Sequence, residues 1–182
     1  MLPASASRRL AEGAAVLVGR GPVATMSQRR AQVARHLRRV YGSDVSGRVL
    51  DRRVDDTFAS YGRYWAESLR LRSVSPAELT AGCPYDGFEH IAAGEAAGRG
   101  TILALPHLGG WEWAGAELAA TGHPISVVVE ALEPPELFDW FVSFRERLGM
   151  HVIPMGPGAA AACTRALAAN HLLCLLCDRL VG

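Results

Sequence analysis

Apolar residues recur at helical spacing before residue 75, and helical and strand patterns alternate after residue 87. In residues 27 to 41, Val33, Leu37, Val40 and Tyr41 fall on one face and arginines cover the rest, which predicts a basic amphipathic helix. From about Leu50 to Leu71, the residues Val54, Phe58, Tyr61, Trp65 and Leu69 step by four, three, four and four, which predicts a second helix with an aromatic stripe. Ser75-Pro-Ala-Glu78 reads as an N-cap, a proline at the first helical position and a capping-box glutamate, opening a short third helix.

Beyond Gly87 the pattern predicts a helix near Phe88 to Ala97, closed by Gly98-Arg-Gly100, and then a strand over Thr101 to Leu105 that runs into Pro106-His107. Further helices are expected over about Trp111 to Ala120, Pro135 to Leu148 and Ala159 to Ala169, and further strands over Ile125 to Val129, His151 to Pro154 and Leu172 to Cys177. Short strands alternating with helices of this length indicate βαβ units around a mainly parallel sheet. The expected fold is therefore α/β, with a basic helical region over residues 1–75 and an α/β core over residues 76–182. Ligands of such sheets sit at the carboxyl ends of the strands, where His107, Glu130 and Asp178-Arg179 fall.

The formal net charge of +1 hides a strong asymmetry. Fourteen arginines stand against six acids up to residue 72, and five against twelve from residue 73 onward. The basic half suits an anionic membrane surface better than nucleic acid. All nineteen basic residues are Arg, which excludes chemistry through a Schiff-base lysine or a phosphate-loop lysine. Residues 1 to 28 intersperse Arg8, Arg9, Glu12 and Arg20 in a Gly/Ala/Val background, unlike a secretory signal. The longest stretch without Asp, Glu or Arg, Leu148 to Thr164, is broken by Pro154, Pro157 and three glycines, so membrane contact is expected to be peripheral. The CxxC of Cys174 and Cys177 has no second pair, and both thiols are expected to be small buried strand residues rather than metal ligands. The chain stops at Leu180-Val-Gly182 directly after an apolar run, which suggests a longer parent protein.

The candidate chemistry lies in Leu105-Pro-His-Leu-Gly-Gly-Trp-Glu-Trp-Ala-Gly115. His107 and Glu112 are five positions apart, which on a continuous helix is about 500° of rotation and leaves them roughly 140° apart. They can meet only if Pro106 and Gly109-Gly110 keep His107 outside the helix that Glu112 opens. A neutral imidazole held by a carboxylate can take a proton from an alcohol. The N–H groups after Gly109-Gly110 can stabilise an oxyanion or hold a phosphate.

His-x4-Glu directly after an apolar strand, in Leu-Ala-Leu-Pro-His-Leu-Gly-Gly-Trp-Glu-Trp-Ala-Gly, resembles the lysophospholipid acyltransferase superfamily. The segment is most similar to the branch holding the lipid A late acyltransferases and the phosphatidylinositol mannoside acyltransferases. The resemblance extends to Tyr61-Gly-Arg-Tyr-Trp65, Gly87-Phe-Glu-His90, Gly98-Arg-Gly-Thr-Ile-Leu, Phe144-Arg-Glu-Arg-Leu-Gly149 and Cys174-Leu-Leu-Cys-Asp-Arg179, and so covers most of the chain from about residue 27. It implies a glycerol-3-phosphate acyltransferase-like fold. It also implies transfer of a fatty acyl group from acyl-CoA, or from acyl carrier protein, to a hydroxyl of a membrane glycolipid at the cytoplasmic face of the plasma membrane, with no metal or other cofactor.

Carried over by this resemblance, His107 is the general base and Glu112 its orienting acid. Asp178 stands where a second acid is expected beside the histidine, so either carboxylate can partner the ring. Arg145 matches a basic position for donor phosphate or acceptor headgroup, and Arg179, Gly109, Gly110 and Glu130 complete the expected substrate contacts. The chain departs from the mannoside branch in having Ala131 where an arginine is usual, Glu112 where Asp is more common, and Asp178 where Glu is usual. The resemblance points to a phosphatidylinositol mannoside as acceptor. A lipid A type acyltransferase and a non-catalytic lipid-binding fragment are the alternatives.

Overall fold

The computed structural model describes residues 3–22 and 24–178. The chain divides into two compact units, Met1–Leu69 and Arg70–Gly182.

The first unit is helical: α1 (Ala4–Arg20), α2 (Ala24–Tyr41) and α3 (Gly47–Arg70). The second and third match the periodicity of the sequence; α1 precedes the first helix that the pattern predicts. Its Leu10, Leu17 and Val18 are exposed, so its apolar stripe faces away from the contacts it makes within the unit. The inner side is small. A Cβ on Gly62 of α3 would lie 2.4 Å from the Ala11 carbonyl oxygen, and one on Gly19 would lie 2.6 Å from the Phe58 ring. The two helices run antiparallel, tied at one end by Arg8 to Glu67 (2.9 Å) and Arg63 to Glu12 (2.6 Å). At the other end Asp55 accepts from Arg20 and, at 2.8 Å, from Arg30. These bonds, led by that of Arg20, hold the Asp55 carboxyl below its usual value.

Two side-chain placements go beyond what the periodicity predicts. Arg30 does not belong to the solvated face of the arginine run: it turns onto Asp55 and lies 5.5 Å over the Phe58 ring. The aromatic stripe of α3 is not wholly core either, because Tyr61 is 53% exposed while stacking on Tyr64 and meeting Trp65 edge-on.

The second unit begins with α4 (Pro76–Ala81), opened by the expected capping box: Ser75 accepts from the Glu78 backbone N–H, and the Glu78 carboxylate accepts from the Ser75 N–H. Then come α5 (Phe88–Ala96), β1 (Thr101–Leu105), α6 (Trp111–Ala120), β2 (Ile125–Val129), α7 (Pro135–Arg147), β3 (His151–Pro154), α8 (Ala159–Ala168) and β4 (Leu172–Leu176). The four strands form one parallel sheet in the order β1-β4-β2-β3. Among the described residues β4 therefore inserts between β1 and β2, and β1 is an edge.

Alternation along β4 divides the core between the two sheet faces. Leu172 and Cys174 join Leu71, Leu79, Ala116, Leu118 and Phe144 on the face covered by α4, α6 and α7. Leu173 joins Ile153 and Ala166 on the face covered by α8. That second cover stops short of β1, whose Ile102 is 55% exposed. α4 and α6 are locked together by the Trp113 indole donating to the Leu79 carbonyl (2.9 Å) and by Thr80 donating to the buried Glu117 carboxylate (3.2 Å).

The expectation for the CxxC holds for one cysteine only. Cys174 is buried in β4, whereas Cys177 lies just past the strand end and is exposed. Among the described residues no helix is long and apolar enough to cross a membrane.

Candidate active site

The register of β1 and β4 builds the site. Leu105 pairs with Leu176, the ladder runs one step further through Cys177 N–H to the Leu105 carbonyl (2.9 Å), and each chain then leaves the sheet. His107 and Asp178 stand two residues beyond paired positions on neighbouring parallel strands, so they emerge side by side at the carboxyl end of the sheet. Pro106 and the left-handed Gly109 (φ +63°) turn the chain out of β1 before α6 starts at Trp111, a conformation that glycine adopts without steric cost.

Asp178 grips His107 twice. One carboxylate oxygen lies 2.6 Å from the ring Nδ1, and the other accepts the His107 backbone N–H at 2.9 Å. Those two bonds, the side-chain one foremost, hold the Asp178 carboxyl below the usual 3.8. An ionised carboxylate only accepts, so Nδ1 carries the hydrogen and Nε2 is the basic nitrogen. Trp111 meets the imidazole edge-on, with centroids 5.4 Å apart at 82°. About a third of each side chain is exposed, so the pair is open to an incoming molecule.

Glu112 is placed differently. It sits in the first turn of α6, buried at 3% exposure, with the Arg145 guanidinium of α7 against it in a two-pronged contact. The Arg145 Nε is 3.1 Å and 3.2 Å from the two carboxylate oxygens, and its other prong is a shorter bond to one of them. The structure thus brings the expected residues together in two pairs, His107 with Asp178 and Glu112 with Arg145. Of the two acids that the sequence leaves open as partner of the ring, Asp178 is the one bonded to Nδ1.

The remaining expected residues distribute around the same end. Gly110 is the N-cap residue of α6, so the positive end of that helix dipole lies beside the His107 loop. Glu130 follows β2 directly and is exposed. Arg179 lies outside the described residues. Sequence reasoning did not single out Glu117, buried on α6, and the Glu12, Asp55 and Glu67 pairings of the first unit; an acid one helical turn or more into an apolar face is the signal for the first.

The family model for bacterial lipid A biosynthesis acyltransferase matches residues 1–182. The phosphatidylinositol mannoside acyltransferase of Mycolicibacterium smegmatis is 35% identical over 151 residues, which cover 81% of this chain and 49% of that protein. The protein of the same name from Mycobacterium tuberculosis (strain CDC 1551 / Oshkosh) is 35% identical over 154 residues, covering 81% and 48%. The chain spans about half the length of the curated relatives it matches. With the whole sequence matched by one family model, this chain belongs to the bacterial lipid A biosynthesis acyltransferase family.

Proposed function

We propose that this chain carries the reaction centre of an O-acyltransferase that moves a fatty acyl group from a thioester donor to a hydroxyl of a phosphatidylinositol mannoside. The observation that supports it best is the grip of Asp178 on His107, with Nδ1 at 2.6 Å and the backbone N–H at 2.9 Å. In this reading the acceptor hydroxyl gives its proton to His107 Nε2 as its oxygen attacks the thioester carbonyl. The oxyanion forms near the N-terminal end of α6. The tetrahedral intermediate collapses with cleavage of the C–S bond, and the imidazolium returns its proton to the departing thiol. Asp178 stabilises the imidazolium and fixes the ring; no covalent enzyme intermediate, metal or prosthetic group takes part. In this reading Glu112 acts by fixing Arg145, which meets a phosphate of donor or acceptor.

The mannoside acceptor is favoured by the names of the curated relatives. A lipid A type acceptor is the second reading, supported by the name of the family model. Acyl-CoA is the proposed donor, with acyl carrier protein the alternative. Peripheral association with the cytoplasmic face of the plasma membrane accords with the many arginines of α2 and with exposed Leu10, Leu17 and Val40 in the same unit. The test is release of thiol from palmitoyl-CoA, by the whole protein in vesicles, with mannosylated phosphatidylinositol or a Kdo-lipid A precursor as acceptor. His107→Ala and Asp178→Asn are expected to lower turnover by about 10²- to 10⁴-fold. Unchanged turnover in His107→Ala overturns the assignment of the base.

A further inference from the structure

Asp178 alone does not settle how the His107 ring is tilted. The backbone at His107 is held on both sides: the Leu108 N–H donates to the Pro106 carbonyl at 2.8 Å, closing a three-residue turn centred on the histidine, and Asp178 accepts the His107 N–H at 2.9 Å. Two side-chain torsions remain. The bond from Nδ1 to Asp178 locates one edge of the ring, but a hydrogen bond keeps most of its strength over angles down to about 150°. About a third of each side chain is exposed, so the protein encloses neither fully.

The second restraint comes from α6. Trp111 is the first residue of that helix, half-buried and directly after Gly109-Gly110. Its indole stands at 82° to the imidazole with centroids 5.4 Å apart, inside the range of about 4.5–7 Å in which aromatic rings attract edge to face. The next two residues make this turn of helix a firm base. Glu112 is gripped by Arg145 of α7, and the Trp113 indole donates to the Leu79 carbonyl of α4 at 2.9 Å. The imidazole is thus held from the end of β4 by a hydrogen bond and from the start of α6 by a ring. With Nδ1 turned to Asp178, Nε2 is the nitrogen left for an incoming hydroxyl, which must come within about 2.6–3.2 Å of it. Where Nε2 aims depends on the tilt of the ring, the freedom that the indole removes.

We propose that Trp111 is a positioning residue of the reaction centre: its indole fixes the plane of the His107 imidazole, so that Nε2 is aimed at the acceptor hydroxyl. The kinetic consequence rests on the acyl-transfer reading above; the spectroscopic one rests on the ring contact alone.

Trp111→Leu removes the ring and keeps an apolar side chain, Trp111→Met does the same with a different shape should the first not fold, and Trp111→Phe keeps an aromatic ring. In the whole protein in vesicles, with palmitoyl-CoA and mannosylated phosphatidylinositol, Trp111→Leu is expected to lower kcat by about ten- to a hundredfold, the scale of a misplacement of up to about 1 Å. KM is expected to stay within about twofold, because the ring acts on the reacting geometry and not on ground-state binding. Trp111→Phe is expected to stay within about threefold of the parent in kcat. In the same proteins labelled at histidine with nitrogen-15, the Nδ1 proton of His107 is expected to exchange with water about three- to tenfold faster in Trp111→Leu, the weight of one ring pair, and at the parent rate in Trp111→Phe. Parent kcat in the Leu or Met variant overturns the proposal, as does a loss confined to KM, unchanged exchange of the Nδ1 proton, or a Phe variant as impaired as the Leu one. His107→Ala in the same assay separates the two readings: full turnover there refutes the acyl-transfer mechanism, and the exchange rates then decide by themselves whether Trp111 holds the ring.

Discussion

The pairing of Glu112 with Arg145 gives a sharp energetic prediction. Glu112 is 3% exposed and the Arg145 side chain 17%, so both charges of this pair are largely withdrawn from water. Arg145→Met leaves the carboxylate buried without its guanidinium, and breaking a buried pair in this way costs about 3–5 kcal/mol. Glu112→Gln removes the charge but keeps the shape and an acceptor oxygen for Arg145, at about 1–3 kcal/mol. The double variant removes both charges of the pair and is expected to cost little more than Glu112→Gln alone. The two single costs should therefore overshoot the double by nearly the whole cost of Arg145→Met, about 3 kcal/mol or more. Urea unfolding of the four proteins, followed by circular dichroism and tryptophan fluorescence, measures this directly. Additivity within about 0.5 kcal/mol, or a cost below about 1 kcal/mol for Arg145→Met, refutes the reasoning.

Three further outcomes are expected. The Asp178 carboxyl is held below 3.8 by His107, so its contribution to stability is complete above the unfolded-state value and is lost as pH falls through the lower folded-state one; a carboxyl carbon NMR titration with a midpoint at or above 3.8 would contradict the grip. Burial pushes the Cys174 thiol up to about 11, whereas Cys177 is exposed, so maleimide at pH 8 read by mass spectrometry should label Cys177 quickly and Cys174 only after unfolding; equal rates would show that β4 is open. Gly62→Ala gains about 1 kcal/mol of helix propensity but drives a methyl into the Ala11 carbonyl and should lose about 1–3 kcal/mol net, whereas Gly13→Ala, with nothing within 4 Å of the new carbon, should gain about 1 kcal/mol. The same sign for both glycines in urea melts would rule out the close crossing of α1 and α3.

Most elements of the α/β unit were legible because local periodicity encodes them: Thr101–Leu105, Ile125–Val129 and His151–Pro154 have the bounds that the pattern predicts, and Ser75 and Glu78 mark the start of α4. The order of the strands was not legible. That β4 slips between β1 and β2 is decided by which crossover helix covers which face, a property of the packed sheet, and on it depends the choice of Asp178 as partner of His107. In the same way, the two-pronged contact between Glu112 and Arg145 joins elements 33 residues apart and leaves no mark in spacing. α1 escaped because its exposed Leu10 and Leu17 point away from its small-residue contacts with α3, so the stripe that usually reveals a buried face marks the outer one. Arg30 escaped because one arginine in a run of five is indistinguishable from its neighbours until Asp55 of α3 is beside it.

The grip of Asp178 on His107 spans 71 residues of sequence, from the loop after β1 to the end of β4. Contacts of such separation bear the full entropy of closing the chain between them, and they form only when the intervening crossovers have packed. The His107–Asp178 contact is thus a latch across the crossovers that lie between β1 and β4. During synthesis His107 emerges well before its partner, and its imidazole stays unoriented until Asp178 has left the ribosome and β4 has entered its slot. Orientation of the His107 ring is in consequence tied to the entry of β4 between β1 and β2, and the Nδ1 proton signal of that ring reads whether β4 is in place.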